Sequence, residues 1–331
     1  MSGNKLKEAV QNFRDFRQVT ELSSDDTIRI REQPRLVSSY YDAVTSFYEF
    51  GWGPTFHFAP RRPGESLPKS LRRHNEGIGK LLRLGPKMEV ADIGCGVGGP
   101  LINIAKATGA RIVGININMQ QLRRGRDLVR KAGLLESCSF LYADFMDVPY
   151  NEATFDAMYS IEAICHAPDR DMAFRELFRL LKPGAEAAII DWTLTDDFDR
   201  SNSKHNEIKA QIEHNNATPN LSTTGKYIET VQAAGFEVIE AKDQQAVEGD
   251  PSTPWYMALQ GRDISLSSFA RTPMGRAVIA KTTGMLERIK VVPAGVSEAS
   301  RLLNAAADAL VEAGKLGIFT PSFLVHARKP Q

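Results

Sequence analysis

The chain has 331 residues, and 41 Lys and Arg against 40 Asp and Glu leave a formal charge of +1, with 42% hydrophobic and 24% charged residues. This length holds one enlarged domain or two smaller ones around a full core, which excludes a small cross-linked scaffold. The even charge balance argues against a dedicated nucleic-acid binder, and three cysteines, Cys95, Cys138 and Cys165, fit reduced thiols rather than a disulfide framework.

Residues 1–39 read as an amphipathic, strongly charged lead-in, with charges where a secretory signal would need an apolar run. No window approaches the roughly 18 uninterrupted apolar residues of a membrane span. Any lipid chemistry is therefore expected of a soluble or peripheral protein. An aromatic cluster follows, SYYDAVTSFYEFGWGPTFHFAP at 39–60, and then turn formers at Pro60, Pro63 and Gly64. A helix is expected over 66–84, stopped by Gly85 and Pro86.

From residue 87 short apolar runs alternate with helical stretches. Strands are expected at 88–93, 111–116, 138–142, 155–160 and 186–192, with helices at 99–108, 119–132 and 169–182, the last closed by Lys182, Pro183 and Gly184. Strand and helix alternating at this spacing predict a parallel sheet covered by helices on both faces. Beyond residue 200 the pattern loosens. It suggests helices near 201–214, 222–234, through 254–290 and at 296–313, with strands near 236–241 and 321–328. The apolar helices of this last third fit a substrate wall or a subunit contact better than a second active site, and a homo-oligomer is compatible with them.

The clearest chemical feature is VADIGCGVGGP at 90–100, a strand running into Gly94, Gly96, Gly98 and Gly99 and then a helix. Glycines at such a turn let the backbone approach a ligand closely. A nicotinamide or flavin site is the rival reading. Two features favour a different ligand. Asp92, two residues before the first glycine, would repel a pyrophosphate and suits an ammonium group, and the second strand ends in Asn116 where a dinucleotide site usually carries an acid. A ligand with an amino-acid end and an adenosine end is S-adenosylmethionine. Asp144, after the third strand, could then accept from the adenine amino group; its rival reading is a helix cap or turn acid.

Several blocks match one family: YEFGWG at 48–53, FHFAPRRPGES at 56–66, IGCGVGGP at 93–100, GININMQQ at 114–121, DFMDVPY at 144–150, IEAICHAP at 161–168 and DWTLTDDFD at 191–199. The sequence resembles the sterol C-24 methyltransferases, a branch of the class I S-adenosylmethionine-dependent methyltransferases. The resemblance implies a Rossmann-like α/β fold with a seven-stranded sheet, an antiparallel final strand and helices capping a sterol pocket. It divides the chain into a lead-in at 1–39, an aromatic cap at 40–85, a methyltransferase core at 86–245 and a C-terminal region at 246–331. It implies Asp92, Gly94 and Gly96 around the methionine half of the cofactor, Asn116 and Gln121 at the ribose, and Asp144 with Phe145 at the adenine.

The implied reaction is electrophilic methylation of a side-chain double bond, leaving a carbocation that a hydride shift and proton loss resolve. Aromatic faces can steady such a cation without trapping it, by about 2 kcal/mol or more when dry. Tyr40, Tyr41, Phe50, Trp52 and Phe56 are the expected substrate contacts, though a lid or core patch is the plainer reading for most of them. Tyr48 and Trp52, spaced four apart around Glu49, are the functional candidates. The final proton needs a carboxylate or imidazole within reach, and Glu49, Glu162, His166 and Asp191 are the candidates. Glu162 and His166, four apart, would share one side of a helical turn, while Asp191 either faces the cleft or caps the following turn. No CxxC or HExxH spacing suggests a metal.

The expected partner is a sterol or related triterpenoid lipid, with no nucleic acid, no transmembrane segment and scope for peripheral membrane contact. The expected location is cytoplasmic or peripheral to the endoplasmic reticulum or another lipid membrane. Other acceptors stay open, namely a squalene-like triterpenoid or a phenolic, amine or tocopherol-like compound. So does a non-catalytic lipid carrier, although a carrier need not keep the cofactor loop.

Overall fold

The computed structural model describes residues 3–23, 25–261, 272–289, 291–292 and 294–331. The chain forms two compact units, one of residues 1–53, 197–221 and 256–319, the other of residues 54–196, 222–255 and 320–331. Each is built by its own logic. One helix runs through the 39/40 position, and residues 246–331 contribute to both units.

The first unit is helical among its described residues. It holds α1 (Gly3–Leu22), α2 (Asp26–Trp52) and α7 (Ser203–Asn215), and then α10 (Pro273–Arg288) and α11 (Val296–Leu316). The supposed lead-in is thus two long helices. Asp25 caps α2 by accepting from the Thr27 amide, and Gly53 ends it at φ 76°. Pro34 sits inside α2, where it removes one backbone donor, yet the helix continues. Burial explains why: Leu36, Val37, Tyr40, Ala43 and Val44 are all buried, as are Leu6, Val10 and Phe13 of α1. Gln33 on α2 donates to the Ala217 carbonyl at 2.9 Å, and Arg276 on α10 pairs with Asp308 on α11 at 2.6 Å. The expected helix through 254–290 lies partly outside the described residues; within them it is a 3-10 turn at Trp255–Gln260 and then α10.

The second unit is the expected α/β fold. It contains α3 (Leu67–Leu81), β1 (Glu89–Ile93), α4 (Gly99–Thr108), β2 (Arg111–Asn116), α5 (Met119–Ala132), β3 (Cys138–Tyr142), β4 (Phe155–Ile161) and α6 (Arg170–Leu180). It continues with β5 (Leu181–Leu194), α8 (Thr224–Ala233), β6 (Glu237–Asp243), α9 (Gln244–Glu248) and β7 (Phe319–Arg328). The strands form one seven-stranded sheet in the order β3-β2-β1-β4-β5-β7-β6. The pairs β3/β2, β2/β1, β1/β4 and β4/β5 are parallel, whereas β7 runs antiparallel to β6. Strand β5 is longer than expected. Lys182, Pro183 and Gly184 belong to its opening rather than to a helix end, beside a register shift in its pairing with β4.

Alternation along the central strands feeds two cores. Met158, Ile189 and Phe323 point into one, with Phe174 and Leu177 of α6 and Tyr227 and Val231 of α8. Their sequence neighbours Tyr159, Ile190 and Leu324 point into the other, with Ile78 of α3 and Leu101 and Ile104 of α4. Both faces are therefore buried, as a parallel sheet requires. The C-terminal ends of β1, β2 and β4 are left as the place where loops can build a site.

Candidate functional site

The loop after β1 turns through three left-handed glycines, Gly94, Gly96 and Gly98, at φ 74°, 55° and 79°. They serve different purposes. A Cβ at Gly94 would stand 2.2 Å from the Ala163 side chain, so this glycine is needed by packing as well as by backbone. A Cβ at Gly96 would meet nothing within 4 Å, so it borders open space. Gly98 opens α4 as its N-cap. Beneath the loop the Phe140 ring lies 3.0 Å or less from Cβ positions at Gly98, Gly114 and Gly125, so three small residues accommodate one aromatic side chain. These relations leave an uncrowded backbone cradle beside a helix N-terminus.

The polar residues expected around this cradle sit beside it. Asp92 is buried on β1 and accepts from the Tyr159 hydroxyl at 3.0 Å. Burial raises its carboxyl to about 7, a shift the Tyr159 bond opposes. Asn116, at the end of β2, donates to the Gly96 carbonyl at 3.2 Å and to Oε1 of Gln121 at 2.8 Å, which joins the two expected ribose residues to the loop. Asn118 caps α5 through the Gln121 amide at 2.8 Å, fixing where Gln121 starts. Asp144 accepts from the Met146 amide at 2.9 Å, so the turn-acid reading is realised, and burial raises its carboxyl. Phe145 packs partly buried against the adjoining core. These residues fit the two ends of an S-adenosylmethionine molecule. The fit rests on the open space at Gly96 and the carboxylates at the ends of β1 and β3.

Glu162 follows β4 directly and is the most constrained residue of the region. Its backbone is left-handed at φ 53°, a region costly for a residue with a side chain, and its amide donates to the Ile190 carbonyl at 2.7 Å. One carboxylate oxygen accepts from the Phe58 amide at 2.6 Å and the other from Trp192 Nε1 at 2.8 Å. Burial pushes its carboxyl well above the ordinary range, against those two donors, which favour the anion. The helical turn expected to carry Glu162 and His166 on one side begins only at Ile164, as a 3-10 turn ending at His166. Their spacing of four is thus not the spacing of a helix face, because strand pairing holds Glu162 out of it. His166 is buried.

Asp191 is fully buried on β5, where it accepts from the Trp192 amide at 2.9 Å and the Tyr227 hydroxyl at 2.8 Å. Burial raises its carboxyl to about 6. It ties β5 to α8. Trp192, Tyr159 and Tyr227 were not singled out from the sequence. Each is an ordinary core aromatic by pattern, and only the carboxylate it meets shows its polar end to be used.

Phe56 and Phe58 belong to the strap that begins this unit. A Cβ at Gly99 would stand 2.1 Å from the Pro54 carbonyl oxygen, so the strap presses directly on the start of α4. Phe58 packs its ring edge-on against Trp255 at 5.1 Å. The other aromatic candidates lie on α2 in the helical unit. There Tyr40 is buried and its hydroxyl lies 2.9 Å from that of Tyr48, whose ring meets Trp52 edge-on at 6.3 Å. Tyr41 contacts Tyr40 edge-on at 5.2 Å, Glu49 is half-buried, and Phe50 is 73% exposed.

Two family models match the chain: a methyltransferase domain over residues 91–189 and a sterol methyltransferase C-terminal region over 266–331. The cycloartenol-C-24-methyltransferase of Arabidopsis thaliana is 44% identical over 296 residues, covering 89% of this chain and 87% of that protein. The chain belongs to the sterol 24-C-methyltransferase family. The sterol 24-C-methyltransferase of Saccharomyces cerevisiae is 34% identical over 333 residues, 98% of this chain and 86% of that one. Among solved structures, the mycolic acid cyclopropane synthase CmaA1 complexed with SAH and CTAB aligns with a TM-score of 0.68 at 19% identity. It covers 88% of this chain and 97% of that chain, a likeness of fold. This member of the family is thus a methyltransferase with S-adenosylmethionine as methyl donor. Among the described residues, no helix is long and apolar enough to cross a membrane and no cluster of His, Cys, Asp and Glu could hold a metal ion.

Proposed function

We propose that this chain methylates the side-chain double bond of a sterol at C-24, with Glu162 as the group that faces the developing positive charge and receives the final proton. The kinship with proteins named for cycloartenol and sterol C-24 methylation supports the substrate. One observation supports the role of Glu162: a half-buried carboxylate held by two N–H donors on a left-handed backbone at the end of β4. Such strain is retained where a side chain must be aimed.

Bound S-adenosylmethionine supplies an electrophilic methyl group for attack by the substrate alkene, which leaves positive charge on the neighbouring carbon. The cradle at Gly94 and Gly96 with Asp92 would hold its amino-acid end, Asn116 and Gln121 the ribose, and Asp144 and Phe145 the adenine. The chain's remaining tasks are to exclude water, steady the charge and take up a proton. Glu162 serves the last two, because an anion fixed by N–H donors beside a cation needs no reorganisation. His166 and Asp191 are secondary. Asp191 is already engaged by Tyr227 and Trp192, and its role is to hold the ends of β5 and α8. The aromatic and acidic residues Tyr40, Tyr41, Tyr48, Glu49, Phe50 and Trp52 of α2 enter this proposal on their chemistry alone. The enzyme's place of work is taken to be the cytoplasm or the surface of a lipid membrane, where its substrate resides.

Incubation of the purified protein with labelled S-adenosylmethionine and separate unsaturated sterols, squalene and phenols tests the reading. Mass spectrometry of the extracted lipids is expected to place one added methyl on a sterol side chain. Transfer only to squalene or to a phenol would reassign the acceptor, and transfer to none would leave a binding protein.

A further inference from the structure

His57 lies inside the strap, buried, with no role in the scheme above. Its Nδ1 lies 2.6 Å from the Phe58 carbonyl oxygen and its Nε2 lies 2.8 Å from Oδ1 of Asn75 on α3. Burial lowers the imidazole's pKa, so the ring is neutral at ordinary pH and carries a single N–H. That proton goes to the Phe58 carbonyl. Nε2 then needs a donor, and the Asn75 amide nitrogen is a buried polar atom with no other partner. Turning the Asn75 amide end for end meets both needs at once. The same Phe58 residue whose carbonyl is held by His57 donates its amide to Glu162 at 2.6 Å.

We propose that His57, braced by Asn75, is a positioning residue for Glu162. It clamps the Phe58 backbone so that the Phe58 amide meets the carboxylate. The chain of contact runs from α3 through Asn75, the imidazole and Phe58 to the end of β4. The other end of the strap is held by close approach, with Pro54 against Gly99, so the strap is pinned on both sides of the Glu162 contact. In this proposal His57 and Asn75 act through the Glu162 carboxylate. The inference rests on the role given to Glu162 under the proposed function.

The test compares His57→Leu, His57→Asn, Asn75→Ala and Glu162→Gln in the full chain, with saturating S-adenosylmethionine and sterol. His57→Leu is expected to lower kcat at least 10-fold while KM for S-adenosylmethionine stays within 2-fold. Losing the Phe58 donor disfavours the Glu162 anion, so the acid limb of the kcat profile is expected to move to higher pH. His57→Asn, which keeps a donor near the Nδ1 position, is expected to recover most of the rate and return the limb. On the Glu162→Gln background, His57→Leu is expected to cost little more. Unchanged kcat, equal loss in His57→Asn and His57→Leu, or full additivity with Glu162→Gln would overturn the proposal. If His57→Leu does not fold, Asn75→Ala is read by the same criteria. Should Glu162→Gln itself retain normal turnover, the proposed function fails at Glu162 whatever His57 does, which separates the two failures.

Discussion

The strand-end region after β1 and β4 and the aromatic stretch of α2 were both marked by sequence, yet they differ in how their residues are held. At the strand ends each polar group is fixed by a partner at least 20 residues away: Asp92 by Tyr159, Asn116 by Gly96 (and, locally, by Gln121), Glu162 by Phe58 and Trp192. On α2 the aromatic residues also meet one another along the same helix, Tyr40 with Tyr48 and Tyr48 with Trp52, at spacings of eight and four. A site built from distant strand ends is rigid because the sheet is rigid. A stripe on one helix is a surface whose members need not share a fate, as buried Tyr40 and exposed Phe50 illustrate.

The glycine cradle should break first and most completely. Gly96→Val places a side chain in the open space beside the loop at φ 55°, and calorimetry is expected to show S-adenosylmethionine binding reduced more than 100-fold. The fold should survive, since one left-handed residue costs about 1–2 kcal/mol. Gly94→Ala is expected to act differently: its Cβ collides with Ala163 at 2.2 Å, so the melting temperature falls before affinity can be measured. Equal losses of affinity at both positions without loss of stability would show the cradle to be misread.

Next in size comes Glu162→Gln. General base catalysis contributes roughly 100- to 10,000-fold, so kcat should fall within that range while KM for S-adenosylmethionine changes little. The raised carboxyl also sets a direction for wild-type turnover. An active anion requires kcat to rise with pH and to plateau only well above the ordinary carboxylate range. A flat profile down to the ordinary carboxylate range would remove Glu162 from the proton step.

Asp92 offers a smaller effect, read in stability rather than rate. Its carboxyl is raised from 3.8 to about 7, so between those values the folded state binds the proton more firmly than the unfolded chain does. Stability from this group is therefore present at low pH and lost as pH climbs through that interval, by a few kcal/mol at about 1.4 kcal/mol per unit. Asp92→Asn should flatten the decline in melting temperature between about pH 4 and pH 7. A decline of unchanged slope in that variant would assign it to another group, with Asp191 next in order.

How much of this was readable beforehand follows the same division. The order of strands and helices from β1 to β5 follows from apolar runs and glycine punctuation, and Asp92, Asn116 and Asp144 are found because they end predicted strands. The length of β5 was not readable, because Pro183 and Gly184 are turn formers by local chemistry and only pairing with β4 draws Leu181 into the sheet. Helices α1 and α2 were missed for the opposite reason. Their amphipathic, charged sequence gives no helix by itself: the apolar face gains its value only when Leu6, Val10 and Phe13 are buried, and Pro34 argues locally against a helix in α2. Tyr159, Trp192, His57 and Asn75 carry no local chemical signal, although His57 and Trp192 fall within blocks that match the family. Their use is decided by partners 18 to 67 residues away.

The smallest effects lie on α2, where they can divide the aromatic stripe. Trp52→Leu removes a π face worth about 2 kcal/mol to a desolvated cation, so kcat should fall up to about 30-fold if the tryptophan steadies charge. Phe50→Leu is the internal control, because a side chain that is 73% exposed offers little dry surface and its loss should change kcat less than 2-fold. The pair is informative because both residues sit in the same YEFGWG block and resemble one another by sequence alone. A loss at Phe50 as large as that at Trp52 would mean that exposure on the helix does not predict use. The stripe would then have to be treated as one contact surface and not as a few chosen rings.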